Sequence, residues 1–524
     1  MSARQQRQAR AVAGASTSAR HSGRAMARSA AAALGAFSLV ACTTTPVAPT
    51  ALNDAQLIAP RFAGPAADQG GTAGAVGESG SAASSPPAAL RVWDQFFTDP
   101  ALQALIRLAL EHNRDLRVAA LNVEQARAQA AIREADLWPT INAGLGGNRL
   151  PTNSGGVSTT FTGGLATTAY ELDLFGRVRQ QAAAAQAQVR ASEFLQSAAR
   201  SSLVAAVAAA YVNVQADEAL LRITQDTVRS REESRQIVLG RVKAGAASHV
   251  DLAQADALVQ AARAAWAQVQ RQKALDESAL VLLVGRPLPE PLVPARAQGA
   301  ARTPAASLQA TLIAWLGQAG QGDSAPLPGL RVLQAGVPSE VLARRPDIGA
   351  AEAQLRAAQA NVEAARRAYF PRIALTASYG QASKELSALF AGGTWVWGVA
   401  PQLIAPIFDA GRLRAGVQQA QAVQQSALAQ YDKTVQVAFK EVSDALASQT
   451  LLAQQLQALQ LQVRAETQRV GLAQSRWQWG ATAYGEVLDA QRSLYAAQTA
   501  LVQSAALALI NQATLYKVLG GGLP

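Results

Sequence analysis

The chain has 524 residues, is 49% apolar but only 5% aromatic, is 16% charged, and carries a formal net charge of +11. That apolar content excludes wholesale disorder, and a single Cys excludes a disulfide scaffold. One Cys with three scattered His (His21, His112, His249) excludes a Cys/His zinc or iron–sulfur site, and no metal or other cofactor is expected.

The excess of positive charge sits largely at the start. Residues 1–41 hold six Arg and no acid, leaving +5 for the rest, an ordinary surface balance that gives no reason to expect a nucleic-acid partner. Residues 29–41, SAAAALGAFSLVA, form an apolar run of signal-peptide length, shorter than a membrane-spanning helix. The run ends in Leu39-Val40-Ala41-Cys42, which resembles a bacterial lipobox. The resemblance implies a lipoprotein signal peptide over 1–41, cleavage before Cys42, and a covalent lipid (palmitate) on that residue. Thr43, where an Asp often retains such proteins in the inner membrane, favours the outer one. Met26 competes with Met1 as the true start, and a buried free thiol at the end of a core helix is the alternative reading of Cys42. Residues 42–90 are rich in Ala, Gly, Ser, Pro and Thr and read as a flexible tether, with order beginning near Leu90.

The body is one unit written twice. The segment 115–141 aligns without gaps on 347–373 at an offset of 232, Trp138 falling on Phe370 and Pro139 on Pro371. From Gly176-Arg177-Val178-Arg179 onward the offset is 235, through Gly245 on Gly480 and Gly285 on Gly520. Repeat 1 therefore covers 91–289, repeat 2 covers 336–524, and 290–335 is an inter-repeat segment. Each copy opens with a helical stretch (about 99–136, then about 338–368) that Trp138-Pro139 or Phe370-Pro371 stops. Two strand-like stretches follow, at about 140–175 and 372–408. A long helical run comes next (177–239, free of Gly and Pro, and 412–470, which holds only Gly416), then a break at Gly245 or Gly480 and a return helix.

The strands alternate. Ile373, Leu375, Ala377 and Tyr379 share one phase, as do Trp395, Trp397, Val399, Leu403 and Ile407, while 161–175 is looser. About ten residues each suits a tilted outer-membrane strand, and Tyr379, Trp395 and Trp397 suit an aromatic girdle at the membrane boundary. Two soluble hairpins packed on helices fit the same stretches. If the strands span, four per chain cannot close a barrel, and an open edge is forbidden in lipid, so the chain must oligomerise. Two chains give about eight strands with a filled interior; three give twelve, enough for a conduit.

With these features the sequence resembles an outer-membrane efflux factor of the TolC type, in the acylated OprM/NodT branch. The likeness is carried by WDQFFTDPALQALIRLALEHNRDL (93–116), GVPSEVLARRPDI (336–348), GRLRAGVQQAQ (411–421) and GEVLDAQRSLYAAQTALV (485–502). It implies an α+β membrane protein, a TolC-like duct with an internal two-fold repeat, four β-strands and long α-helices per chain. As a homotrimer it would form a 12-stranded β-barrel in outer-membrane lipid and a 12-helix periplasmic α-barrel. The implied function is the channel component of a tripartite pump, with a periplasmic adaptor (membrane fusion) protein and an inner-membrane transporter of the resistance-nodulation-division (RND) type, passively conducting drugs or other small toxic compounds. The segment 290–335 and the tether are longer than the family usually carries.

No nucleophile motif, phosphate-binding loop or paired metal ligand stands out, so no enzyme activity is expected. The resemblance places a periplasmic gate after the helix breaks, at Asp251, Trp477, Glu486, Asp489 and Arg492. Carboxylates brought together around one axis would repel, raise some pKa values and attract cations. The same acids also fit the first turn of a helix, and Asp489 with Arg492 an ordinary surface pair. An exit duct for secreted protein or peptide, and a pore-less periplasmic coiled-coil scaffold, are the competing functions.

Overall fold

A computed structural model describes residues 93–151, 155–288, 342, 344–391 and 394–521. The signal peptide, Cys42, the tether and the segment 290–335 lie outside the described residues.

Repeat 1 holds α1 (Trp93–Phe96), α2 (Pro100–His112), α3 (Arg114–Ala135), β1 (Asn142–Pro151), β2 (Val157–Leu172), α4 (Arg177–Lys243) and α5 (His249–Val284). Repeat 2 holds α6 (Pro346–Arg367), β3 (Arg372–Ser383), β4 (Trp395–Ile404), α7 (Arg412–Gln478) and α8 (Tyr484–Val518). The helix starts reproduce both offsets: α3 and α6 are each 22 residues, and α4 and α7 are each 67. At 1.5 Å per residue the long pair is about 100 Å from end to end.

Local chemistry sets the boundaries. Asp99 caps α2, accepting from the amides of Ala101 (2.8 Å) and Leu102 (3.3 Å), with Pro100 at the first helical position. The single helix expected over 99–136 is instead broken at Asn113. Its side chain accepts from the Leu116 amide at 2.8 Å and its backbone is extended, so it starts α3 afresh. Both long helices begin after a glycine in the left-handed region, Gly176 (φ 77°) and Gly411 (φ 87°). The carboxylates of Asp173 and Asp409 accept the first free amides, those of Val178 and Arg179, and of Gly411 and Leu413. The helices run on through Gly240 and Gly471, past the limits read from sequence, and α7 also takes Gly416 in its second turn. One interior glycine costs only about 1 kcal/mol, which the packing of so long a helix offsets. They end at Gly245 and Gly480, again left-handed.

The four strands form one antiparallel sheet in the order β1-β2-β3-β4, so the copies join at β2–β3. Gly164 lies opposite Gly380 there, and a Cβ on Gly164 would come within 2.4 Å of the Tyr379 carbonyl oxygen. β2 is longer than expected at 16 residues and carries a bulge between Thr167 and Tyr170. β4 stops at Ile404, which leaves Ile407 beyond the sheet.

The helices pack as a layer with α4 central, touching α3, α5, α6 and α8. The largest core cluster sits where α2 packs on α4 and α5: Leu105, Ile106, Val204, Val207, Leu280 and Tyr516 are all buried. By length and composition alone α4 and α8 contain stretches apolar enough to cross a membrane, but the α4 stretch is mostly buried against its neighbours.

Each copy stacks a short helix on the end of a return helix, and the two joints correspond. The Asn113 amide donates to the Leu283 carbonyl at 2.8 Å, and the Arg345 guanidinium donates to the Val518 carbonyl at 3.1 Å. These are aligned positions of the repeat, neutral in one copy and charged in the other.

Candidate functional site

Three places are built from these elements: the sheet wall, the far tip of the helices, and the joints between.

Register partners share a face of a sheet. Leu403 opposes Ile373, Val399 opposes Ala377 and Trp397 opposes Tyr379. Tyr379 in turn opposes Leu165, which opposes Ala143. One face of all four strands is thereby apolar. The other carries Asn142, Asn148, Thr160, Thr162, Arg372, Thr376, Ser378 and Gln402. Tyr379, Trp395 and Trp397 stand exposed on the apolar face, with the Tyr379 and Trp395 rings 5.2 Å apart. A second aromatic set, not singled out from the sequence as girdle residues, lies where sheet meets helices. There Trp138 and Phe408 are exposed and Phe175 stacks on Phe370 at 4.8 Å. Its signal was present: Trp138 and Phe370 are the aligned residues before the helix-stopping prolines. The outer edges of β1 and β4 have no strand partner among the described residues.

At the tip, Trp477 is nearly buried in a cluster with Val238, Ala255, Tyr484 and Val487, drawn from α4, α5, α7 and α8. Its ring lies 4.9 Å from Tyr484, and the Arg241 guanidinium of α4 sits over it at 4.1 Å. The indole thus reaches the first copy through a cation–π contact. Glu486 accepts from Arg476 at 3.3 Å and from the Thr482 hydroxyl, both on its own hairpin. Asp489 pairs with Arg492 at 3.2 Å, with both side chains well exposed. Asp251 completes a capping box with Ser248 at the start of α5, its carboxylate accepting from the Ser248 amide at 3.0 Å. The structure therefore brings Trp477 and Glu486 to one hairpin and leaves Asp251 on the other.

Sequence reasoning passed over two charged sites. Arg345 is buried and binds Asp347 (2.6 Å) on α6 and Glu441 (2.6 Å) on α7, besides the α8 carbonyl. Burial opposes its charge, but the two carboxylates prevail and raise its pKa; burial likewise opposes the Asp347 anion, and Arg345 prevails and holds it below its ordinary value. Between α4 and α5, Asp217 and Glu218 are buried, with Lys273 3.1 Å from Glu218 and 3.6 Å from Glu277. Burial, then the hydrogen bond shared with Asp276, pushes the Asp217 carboxyl up to about 7. A groove of about 670 Å³ between α3, α4 and α6 is lined by amides, including Gln125, Gln129, Gln181, Gln188 and Asn361, alternating with alanines and with Arg133. Among the described residues no group of three or more His, Cys, Asp or Glu is placed to hold a metal ion.

A sheet with one apolar and one polar face, continuous with a layer of long helices, defines a membrane channel subunit with a helical extension. The family model described as outer membrane efflux protein matches residues 105–286 and 337–521, two segments related by the same offsets as the repeat. The toluene efflux pump outer membrane protein TtgC of Pseudomonas putida is 40% identical over 442 residues, covering 83% of this chain and 86% of the relative. A crystal structure of a membrane protein from Pseudomonas aeruginosa superposes with a TM-score of 0.74 at 38% identity, covering 82% of this chain and 92% of that one. The open state of the MtrE outer membrane channel of Neisseria gonorrhoeae gives 0.71 at 37% identity, covering 84% and 94%. The chain belongs to the outer membrane efflux protein family: it is an outer-membrane protein with a periplasmic helical extension, and it is not an enzyme.

Proposed function

We propose that three copies close a twelve-stranded barrel and a twelve-helix tunnel, and that this duct is the exit path of a tripartite pump, with a periplasmic adaptor and an RND-type inner-membrane transporter. The observation that carries the reading is the two-faced, four-stranded sheet with both edges open. Its apolar side suits lipid, its polar side suits water, and its edges need neighbours. Three times four strands is the smallest closed set wide enough to leave a conduit. The groove between α3, α4 and α6, lined by amides and alanines with the single charge of Arg133, supports a weakly adhesive tunnel wall. The relative named for toluene efflux supports a small apolar or amphipathic cargo. The lipid on Cys42 anchors the assembly to the same membrane; acyl chains contribute about 0.8 kcal/mol per buried CH₂. Tyr379, Trp395 and Trp397 mark the outer membrane boundary, and the set around Trp138 and Phe370 the periplasmic one.

The gate is the α7–α8 tip. Three Glu486 and three Asp489 around one axis hold cations and, with Arg492, narrow the opening. Trp477 under Arg241 fixes the hairpin to α4, and Asp251 fixes the start of α5. Glu486→Ala combined with Asp489→Ala is expected to raise conductance in planar bilayers and to weaken block by multivalent cations. If neither parent nor variant conducts, the pore reading fails; if both conduct alike with the same block, these carboxylates are not the gate. Electron micrographs of the solubilised particle should show a threefold cylinder over about 100 Å long.

A further inference from the structure

The connection from β3 to β4 folds back onto the strands. Amide-to-carbonyl bonds from Ala388 to Glu385 (3.3 Å), Leu389 to Leu386 (3.2 Å) and Ala391 to Ala388 (3.1 Å) wind it into successive turns. The Thr394 hydroxyl closes it, donating to the carbonyls of Leu389 (3.0 Å) and Ala391 (3.1 Å). Leu389 is almost wholly buried, although it lies in a connection between exposed strands.

Its burial has a direction. A Cβ built on Gly163 would lie 2.6 Å from Leu145 Cδ2 and 3.4 Å from Leu389 Cδ2. Leu389 therefore covers the side of the sheet to which position 163 points. Gly163 opposes Leu145 and Gln381, and Gln381 opposes Trp395, so this is the apolar face. A connection turned the other way would lie over the polar face and narrow the channel. This one lies outside, level with Trp395.

Two large side chains of the same turn have no cover: Leu386 is 62% exposed and Phe390 is 74% exposed. Two exposed cations stand nearby in sequence and register. Arg149 lies on the apolar face by its place in β1, at the end that meets the β1–β2 turn, and Lys384 opens the β3–β4 turn. Neither has an ion-pair partner among the described residues. Exposed apolar side chains beside free cations, at the outer end of an apolar wall, match a membrane surface that carries phosphate.

We propose that the 384–391 turn is a lipid anchor, docked on the outside of the wall through Leu389, which presents Leu386 and Phe390 to acyl chains and Arg149 and Lys384 to headgroup phosphates of the outer leaflet. The proposal rests on the reading that the apolar face meets lipid, and the experiment separates the two. Full-length protein carrying Cys42→Ser receives one nitroxide label at a time, through Phe390→Cys, Leu386→Cys, Trp397→Cys or Thr162→Cys. Each is reconstituted in vesicles of phosphatidylethanolamine with phosphatidylglycerol, and accessibility to oxygen and to a water-soluble nickel chelate is compared. Labels at 390 and 386 should favour oxygen as strongly as the label at 397, whereas 162 should favour nickel. A lipid-like signal at 397 with a water-like signal at 390 and 386 overturns the anchor and leaves the wall intact. A water-like signal at 397 overturns the wall itself. Leu389→Ser should move the 390 label towards water and leave 397 unchanged; no movement overturns the docking role. Arg149→Gln with Lys384→Gln should make the 390 label shallower, and more so in anionic vesicles than in phosphatidylcholine, whose phosphate is balanced by choline; no change of depth in either overturns the phosphate contact.

Discussion

Asp217 makes the stability of this protein depend on pH in a direction opposite to that of a salt-bridged carboxylate. It is buried on α4 against Asp276 of α5, with Lys273 and Glu277 on the same α5 face and Glu218 and Arg222 on its own helix. α8 contributes Ala497 and Leu501 to the apolar cluster that packs on this part of α4. Burial, then the bond to Asp276, raises its pKa from 3.8 to about 7. Between those values the native state keeps a proton that the unfolded chain has released. Stability therefore falls as pH rises from about 4 to about 7 and is flat above. Three pKa units at 1.36 kcal/mol each set an upper limit of about 4 kcal/mol. Asp217→Asn keeps the bond-forming shape and cannot ionise. Thermal unfolding of the detergent-solubilised protein from about pH 5 to about pH 8 should show the parent losing several degrees more than the variant, in which Glu218, also raised by burial, still titrates, the two meeting at the acid end. Protection of α5 amides against hydrogen exchange, after correction for the intrinsic pH dependence of exchange, should fall with pH more in the parent than in the variant. Parallel pH profiles in parent and variant would refute the shared-proton reading, because Glu218 and Lys273 are untouched.

Arg345→Met removes four hydrogen bonds to three partners at the repeat-2 joint and leaves Glu441 without its partner; a loss of about 3–5 kcal/mol is expected in denaturant unfolding. Gly164→Val should abolish heat-stable assembly on gels, since its Cβ would strike the Tyr379 carbonyl and the Gly380 Cα, whereas Gly144→Val, with nothing within 4 Å, should be silent. Cys42→Ser should abolish metabolic labelling with palmitate, and label retained in the variant would move the acyl chain elsewhere.

What the sequence disclosed was whatever local rules write down. The glycines that carried the repeat, Gly176 with Gly411, Gly245 with Gly480 and Gly285 with Gly520, all take positive φ, which is why each copy needs them. The alternation of Ile373 to Tyr379 and of Trp395 to Leu403 survives as one face because period two is a property of the strand itself. The break at Asn113 was hidden inside an apolar periodicity that continues on both sides of it. β2 was under-read because Gly163, Gly164 and five Thr blur its alternation. The charge partners were illegible for a different reason. Glu441 lies 96 residues from Arg345 and Asp256 lies 21 from Arg235, and such pairs follow from helix register, which no local pattern records.

The two copies share a backbone and differ in where they keep charge, and on the channel reading that difference assigns their roles. Copy 2 puts a buried guanidinium at its joint, tying α6, α7 and α8 together, where copy 1 has a neutral Asn113. Copy 1 puts its buried charges lower, between α4 and α5, where the aligned positions of copy 2 are Leu452, Ala453 and Ala508. Below its joint, the α7–α8 hairpin has no buried ion pair among the described residues: it is held by apolar packing, by the Arg241–Trp477 and Thr224–Tyr495 contacts with α4, and by exposed pairs such as Asp489 with Arg492, each worth about 0–1 kcal/mol. Apolar side chains slide past one another without leaving an unpaired charge; the α4–α5 pair cannot separate without exposing Lys273 and two acids to a poor environment. The hairpin of copy 2 is thus the cheaper one to displace. On the proposed gate, Glu486 and Asp489 stand on the hairpin that costs less to displace, whereas Asp251 is spent on capping the other.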